Sequence, residues 1–374
     1  MIIAGTAFSQ ATPPAFDAQI IDDRITIGYG VAIGDVDGDG KPDILLADKK
    51  EFVWYRNGDW KRFVMAENLT EHDNVCIAAR DIDGDGKVEV AVGAQWNPGE
   101  TSDTTKSGSV HYLISPKDPT AKWQPVKLHH EPTVHRMRWV KISKRKFMLI
   151  VAPLHGRGNK NGEGEGVKVL AYDVPEDPKG EWKYSVIDQS MHLTHNFAIE
   201  EGDPERIVIG GKEGLKSCSF ANGSWGCRHF FKEKAFGEIT VAERIGHVGV
   251  SPMHGNQLIW PLTENCSLPR DKNVIVLSSD LNQGHAIGNA DFIPGGTSEI
   301  IVGWREPNKE NKVGIKIFVC LQETTTPVWK EFWVDENGMA CEDLQVGDLD
   351  GDGKKDIVAA GRSTHNLKIY WNRN

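Results

Sequence analysis

Ile33-Gly-Asp-Val-Asp-Gly-Asp-Gly-Lys-Pro-Asp-Ile-Leu-Leu46 packs an apolar strand, an acidic glycine turn and a second apolar strand into one short stretch. Two further copies follow it: Ala79-Arg-Asp-Ile-Asp-Gly-Asp-Gly-Lys-Val-Glu-Val-Ala-Val92 and Val346-Gly-Asp-Leu-Asp-Gly-Asp-Gly-Lys-Lys-Asp-Ile-Val358. Degenerate copies keep the strand pair and lose the acids. Val134–Val151 turns through Ser143-Lys-Arg-Lys, Phe197–Ile209 through Glu201-Gly-Asp-Pro, and Ala290–Val302 through Pro294-Gly-Gly-Thr.

Each pair is followed by two more strand-like stretches, often with tryptophan, as in Phe52-Val-Trp-Tyr and then Trp60-Lys-Arg-Phe-Val. Val167–Tyr172 followed by Trp182–Ile187 repeats the arrangement. Four strands per unit, recurring every ~40–60 residues, predict the blades of an all-β propeller. Seven units fit, near 26–67, 74–132, 134–190, 193–232, 237–281, 284–338 and 341–374, the fifth being the faintest. The last unit is one strand short, and Phe16–Ile25, which precedes the first, is placed to supply it. Closure of that kind leaves no exposed sheet edge between the chain ends. The expected organisation is one seven-bladed domain over 15–374, with 1–14 a signal-peptide remnant or a disordered start.

Composition agrees with this architecture. The 374 residues include 39 glycines and 18 prolines, which suit many short strands and tight turns. A formal net charge of −10 argues against nucleic acid as a partner, and no run of 18 apolar residues offers a membrane span. Six cysteines allow 15 full pairings. Cys218 with Cys227 and Cys320 with Cys341 are the expected bridges, with Cys76 a buried thiol. The apolar start, the cysteines and the sequons at Asn68, Asn222 and Asn265 favour a secreted or periplasmic protein, expected as a monomer.

The acidic turns have the spacing of calcium loops. Asp35, Asp37, Asp39 and Asp43 stand at positions 1, 3, 5 and 9, with Gly40 at position 6 for the sharp bend. Asp81, Asp83, Asp85 and Glu89 repeat the set, as do Asp348, Asp350, Asp352 and Asp356. Position 12 of the first loop is Leu46, not the bidentate glutamate of an EF-hand. A turn held by its own Asx hydrogen bonds, with no ion, explains the same residues. Calcium is the cofactor this pattern admits, in a structural role; no organic cofactor is expected, since no P-loop or dinucleotide fingerprint occurs.

The histidines are not scattered at random. In each hairpin the start of the first strand and the end of the second share a face, opposite the acidic turns. His135, His195 and His285 stand at starts of inner strands; His155 and His254 stand at ends of returning strands. Arg157, Lys212 and Arg305 occupy the same kind of position. Inner strands surround the axis, so these residues are expected around one funnel. One such histidine alone would be read as structural; five at equivalent places suggest a site. Imidazoles there suit a transition metal or proton transfer near neutral pH. The arginines favour proton transfer on an anionic substrate, because they repel a cation and pair with an anion.

The Asp-x-Asp-Gly-Asp-Gly turns resemble FG-GAP/VCBS repeats. Val134-His-Arg-Met-Arg-Trp, Pro153-Leu-His-Gly-Arg-Gly, Thr194-His-Asn-Phe, Pro252-Met-His-Gly-Asn and Gly284-His-Ala together resemble seven-bladed polysaccharide lyases. The set is most similar to L-rhamnose-α-1,4-D-glucuronate lyases, which act on arabinogalactan and gum arabic side chains. That resemblance implies β-elimination on an acidic plant-type glycan with rhamnosyl-glucuronate ends. It implies His135 and His155 as the base and acid pair, with Arg157 and Arg305, or a bound calcium, neutralising the uronate carboxylate. His195, His254, His285 and Lys212 would then hold the sugar. Propeller ulvan lyases carry a similar histidine pair, but their catalytic tyrosine has no counterpart near His195. An α-L-rhamnosidase cutting the same bond and a non-catalytic carbohydrate-binding propeller are the rival readings, since fold does not fix function.

Overall fold

In a computed structural model the chain is described over residues 13–262, 274–294, 298–322 and 327–374. Almost all of the expected 1–14 leader, the Asn265 sequon, and Gly295, Gly296 and Thr297 of the sixth unit's turn lie outside the described residues. The described elements are strands, arranged in seven four-stranded antiparallel sheets. Six blades take their strands in chain order, over residues 30–67, 76–128, 134–188, 194–231, 239–278 and 284–336. The seventh combines residues 341–372 with Phe16–Asp22, which pairs antiparallel with Asn366–Asn372 as its outermost strand. The ring therefore closes with strand from both ends of the chain, as the short last unit predicts. Arg373 reinforces the closure, its Nε 2.9 Å from Asp17 Oδ2.

Burial explains the sequence pattern along each blade. The second strand of a blade is covered on both faces by neighbouring blades, so it reads as a continuous apolar run. Asp43–Ala47 is buried throughout. The fourth strand lies at the rim and stays largely exposed, as in Tyr184–Asp188. Among the described residues there are seven apolar clusters, one at each blade interface. Phe52 and Trp54 of the first blade, for instance, pack against Val90 and Val92 of the second. Each fully buried side chain of this size contributes about 1.5–3 kcal/mol through lost water contact.

The acidic turns are self-capped. Asp35 accepts from the backbone N–H groups of Gly38 and Gly40, both glycines having φ near +80° (81° and 83°), a region costly for other residues. Asp43 is fully buried and accepts from Val36 N and Asn57 N, tying the turn to the next hairpin of its blade. Glu89 accepts from Ile82 N, and Asp356 from Leu349 N and Asn372 N, in the equivalent places. Glu299 does the same for Phe292 N in the sixth blade, whose turn lacks the acidic set.

One expected bridge forms and one does not. Cys218 and Cys227 are opposite residues on paired strands and are joined. Cys341 carries a free, buried thiol, so the expected Cys320–Cys341 bridge is absent. The reason is strand register. Cys341 packs against Gly303, which pairs with Ile315, whereas Cys320 lies five residues farther along that same strand. At about 3.3 Å per residue the two sulfurs sit toward opposite ends of a blade. Cys76 is buried with its thiol intact, as expected.

Candidate active site

Four imidazoles meet on the axis at the face opposite the acidic turns. His135 and His195 have ring centroids 4.6 Å apart, His195 and His254 4.7 Å, and His254 and His285 5.0 Å. They line a cavity of about 200 Å³ with Tyr29, Trp96, Arg136, Arg305, Glu342 and Arg362. A larger cavity of about 590 Å³ opens toward the acidic-turn face and is lined mainly by apolar inner-strand residues such as Val31, Ile77 and Leu344. Size does not choose between them. The smaller one gathers the imidazoles with three arginines and a buried carboxylate, which makes it the candidate site.

Local backbone irregularity aims these side chains. The inner-strand pairing of blades three, four, six and seven slips by one residue at Val134/Arg136, Thr194/Asn196, Gly284/Ala286 and Cys341/Asp343. The unpaired residues are His135, His195, His285 and Glu342. A β-bulge re-aims the extra residue, and here it turns each one into the axial cavity. In the fifth blade Val250 donates to Glu238 O while its carbonyl accepts from Gly237 N, which sets Glu238 at the corresponding place. Blades one and two pair regularly and contribute no imidazole. His254 comes from a return loop instead, with φ of +53°. A left-handed histidine costs about 1–2 kcal/mol, strain retained where the surroundings impose it.

Hydrogen bonding orders the rings. His135 Nδ1 lies 2.7 Å from His195 O and His285 Nδ1 2.6 Å from Glu342 O, so both donate through Nδ1 and leave Nε2 as an acceptor. His195 Nδ1 is 2.8 Å from Glu238 Oε1, close but poorly aligned, and its Nε2 is 2.9 Å from His254 Nε2. Burial pushes His135 and His285 well below the ordinary histidine range, His254 down to about 3, and His195 down in spite of Glu238. All four are therefore neutral near pH 7 and keep a lone pair.

Charge surrounds the neutral rings. Arg305 binds both oxygens of Glu342, at 3.2 and 3.0 Å, and Arg362 donates to the same carboxylate at 3.0 Å. Arg136 lies 3.7 Å from Glu238, and Asn196 also donates to Glu238. Burial raises Glu238, but His195, Arg136 and Asn196 outweigh it and hold the carboxyl down at about 2. Three guanidiniums thus face two carboxylates, which leaves positive charge for an anionic ligand. The nearest ring nitrogens of His195, His254 and His285 all lie within 4.8 Å of one another, a spacing that admits a transition ion. Arg136 and Arg305 beside them make an anion the better occupant.

The remaining residues expected at the funnel lie outside this lining. His155 is half-buried, its backbone bridged to Leu193 and bonded to Thr133. Arg157 pairs with Glu131 at 2.9 Å, and Lys212 donates to Gly162 O. At the acidic turns, Asp35, Asp37 and Asp39 present oxygens within 4.8 Å of one another, as do Asp81, Asp83 and Asp85, and Asp348, Asp350 and Asp356. Asp43, Glu89 and Asp352 are not in those groups. Sequence reasoning missed Tyr29, Arg136, Glu238, Glu342 and Arg362. Glu238 and Glu342 hold the same strand-start position as the histidines, and that shared position is the signal that could have found them.

Residues 35–92 match an FG-GAP-like repeat, residues 77–113 an FG-GAP repeat, and residues 107–239 the β-propeller domain of aldos-2-ulose dehydratase. This propeller resembles that of a sugar dehydratase. The dehydratase match contains His135, Arg136, His195 and Glu238, and stops short of His254, His285 and Arg305. No curated protein matches the chain significantly. Among solved structures, a chain of the mitotic checkpoint complex superposes with a TM-score of 0.61 at 11% identity, over 100% of this chain and 97% of that one. BBS1N in complex with ARL6DN, soaked with mercury, gives 0.58 at 13% identity, over 97% and 98%. At such identities the likeness is one of fold alone.

Proposed function

We propose that this propeller is a carbon–oxygen lyase that removes terminal rhamnose from rhamnosyl-α-1,4-glucuronate ends of an acidic glycan. The observation that carries the reading is the axial cavity itself, where neutral imidazoles and surplus guanidinium charge share one small space. β-Elimination needs both. The C5–H of glucuronate is weakly acidic while the carboxylate beside it is charged. Arg305, Arg136 and Arg362 would neutralise that carboxylate and the enolate-like charge that grows on it. A neutral imidazole would take the proton, an effect worth about 10²–10⁴-fold. The resemblance to a sugar dehydratase, named for loss of water from a sugar, supports the class of chemistry. Calcium at the acidic turns is proposed in a structural role only, on the carboxylate spacing.

Incubation with a rhamnose-capped glucuronide tests the reading. An unsaturated uronate, seen as new ultraviolet absorbance released together with rhamnose, is the expected result. Rhamnose without that absorbance would make the enzyme a hydrolase. Sugar binding without any product would make it a lectin-like module.

A further inference from the structure

We propose that His254 is the proton-abstracting base and that Glu238, acting through His195, is the positioning residue that sets its tautomer. The proposal rests on the lyase reading for its reaction, and on contacts alone for its arrangement. Those contacts form a chain. Arg305 Nη2 approaches His254 Nδ1 at 3.5 Å, and a guanidinium can only donate, so Nδ1 of His254 is the acceptor. His254 then carries its proton on Nε2, which points at His195 Nε2 2.9 Å away. His195 must accept there, so its own proton sits on Nδ1, 2.8 Å from Glu238 Oε1 though not aligned on it as a hydrogen bond. Each protonation state follows from the one before, and the buried carboxylate ends the series. The carboxylate favours Nδ1–H on His195 from one end of the series, as the Arg305 contact does through His254 from the other.

Exposure picks out His254 from the cluster. His135, His195 and His285 are 4%, 1% and 3% exposed, while His254 is only partly buried and rides on a loop with left-handed backbone. Gly255 allows the tight turn beneath it, since a Cβ there would stand 2.2 Å from Ser251 O. The proton-accepting Nδ1 faces Arg305, the group expected to hold the substrate carboxylate, which places base and C5–H side by side. The charged and titratable groups facing the pair are Tyr29 ahead of blade one, His135 and Arg136 of blade three, Glu238 of blade five, His285 and Arg305 of blade six, and Glu342 and Arg362 of blade seven.

The step balances within this set. His254 Nδ1 takes the C5 proton, the C–H electrons become the C4=C5 double bond, and the C4–O bond breaks with its electrons on the rhamnosyl oxygen. In glucuronate the C5 hydrogen and C4 oxygen lie gauche, so the imidazolium can return that proton to the departing oxygen. No oxidant, reductant or metal is consumed.

Glu238→Gln is the test, with Glu238→Asp as the conservative control. In ¹⁵N-histidine spectra the parent is expected to show His195 as the Nδ1–H tautomer and His254 as Nε2–H, and Glu238→Gln to shift part of the His195 population to Nε2–H. This readout needs no substrate, so it judges the relay even if the lyase reading fails. On the rhamnosyl glucuronide, Glu238→Gln is expected to lose about 100-fold in kcat with KM changed less than threefold. Its acidic limb is expected to move to lower pH, because removal of the anion makes imidazolium harder to form. Glu238→Asp is expected to recover part of the rate. Were Glu238→Gln to fold poorly, the tautomers of the unaltered protein would still decide the matter. His254 protonated on Nδ1, or an acidic limb unmoved in a folded variant, would overturn the assignment.

Discussion

Blades one, two and seven differ from blades three to six in where they carry acidic turns and axial imidazoles. The first group keeps the acidic turns and supplies no axial imidazole. The second group has lost those turns and supplies all four imidazoles. The strands carrying His135, His195 and His285 are bulged, while the inner strands of blades one and two pair without a slip. Blade seven belongs partly to both groups, with an acidic turn at one end and a bulge bearing Glu342 at the other. A repeat can thus specify a ring at one face of the molecule while the opposite face varies. The two ends of an inner strand answer to different demands.

Substitutions at matched places should separate the two demands. His254→Ala removes the proposed base and is expected to lower product formation by about 10²–10⁴-fold, with a much smaller change in the unfolding midpoint. Asp43→Ala should do the reverse. It leaves Val36 N and Asn57 N without their buried acceptor, at a cost of about 2–4 kcal/mol in urea unfolding, while activity per folded molecule stays near the parent's. Equal losses of activity in both variants would erase the division.

Titration sharpens the contrast, because the two faces respond to pH with opposite sign. The axial histidines have folded-state pKa values below their unfolded one, His254 at about 3. Between pH 6.5 and 3 the unfolded chain binds protons that the folded one refuses, so this face loses stability on acidification. Burial raises Asp43, Glu89 and Glu299 to about 7. Those carboxyls contribute stability that is full below their unfolded pKa and is lost as pH rises through 7. Asp43→Asn is expected to flatten the decline between pH 4 and 7, and His254→Ala to lessen the decline below pH 6, both read from urea midpoints across pH. A smaller effect is expected from calcium. It should raise the midpoint, with differential scanning fluorimetry before and after chelation as the check.

The ring and its closure were legible because period-two alternation, acidic turns and a missing final strand leave marks in sequence. The meeting of His135, His195, His254 and His285 was legible for a related reason: strand starts and strand ends share a face. Distance from the axis was not. His155, Arg157 and Lys212 leave their strands at the same face yet lie beyond the central lining, because residues past a strand end can run outward as well as inward. The bulges were hidden too. A one-residue slip turns a side chain to the other face without altering the hydrophobic pattern around it. Glu238 and Glu342 therefore read as ordinary polar residues beside strand starts, and only burial at 2% and 1% exposure reveals them as parts of the site.

The most direct test is a crystal structure with a glucuronide bound. The uronate carboxylate is expected within hydrogen-bonding distance of Arg305, on the histidine face, with C5 next to His254. A sugar seated instead in the wider channel at the acidic-turn face, with the imidazoles untouched, would contradict it.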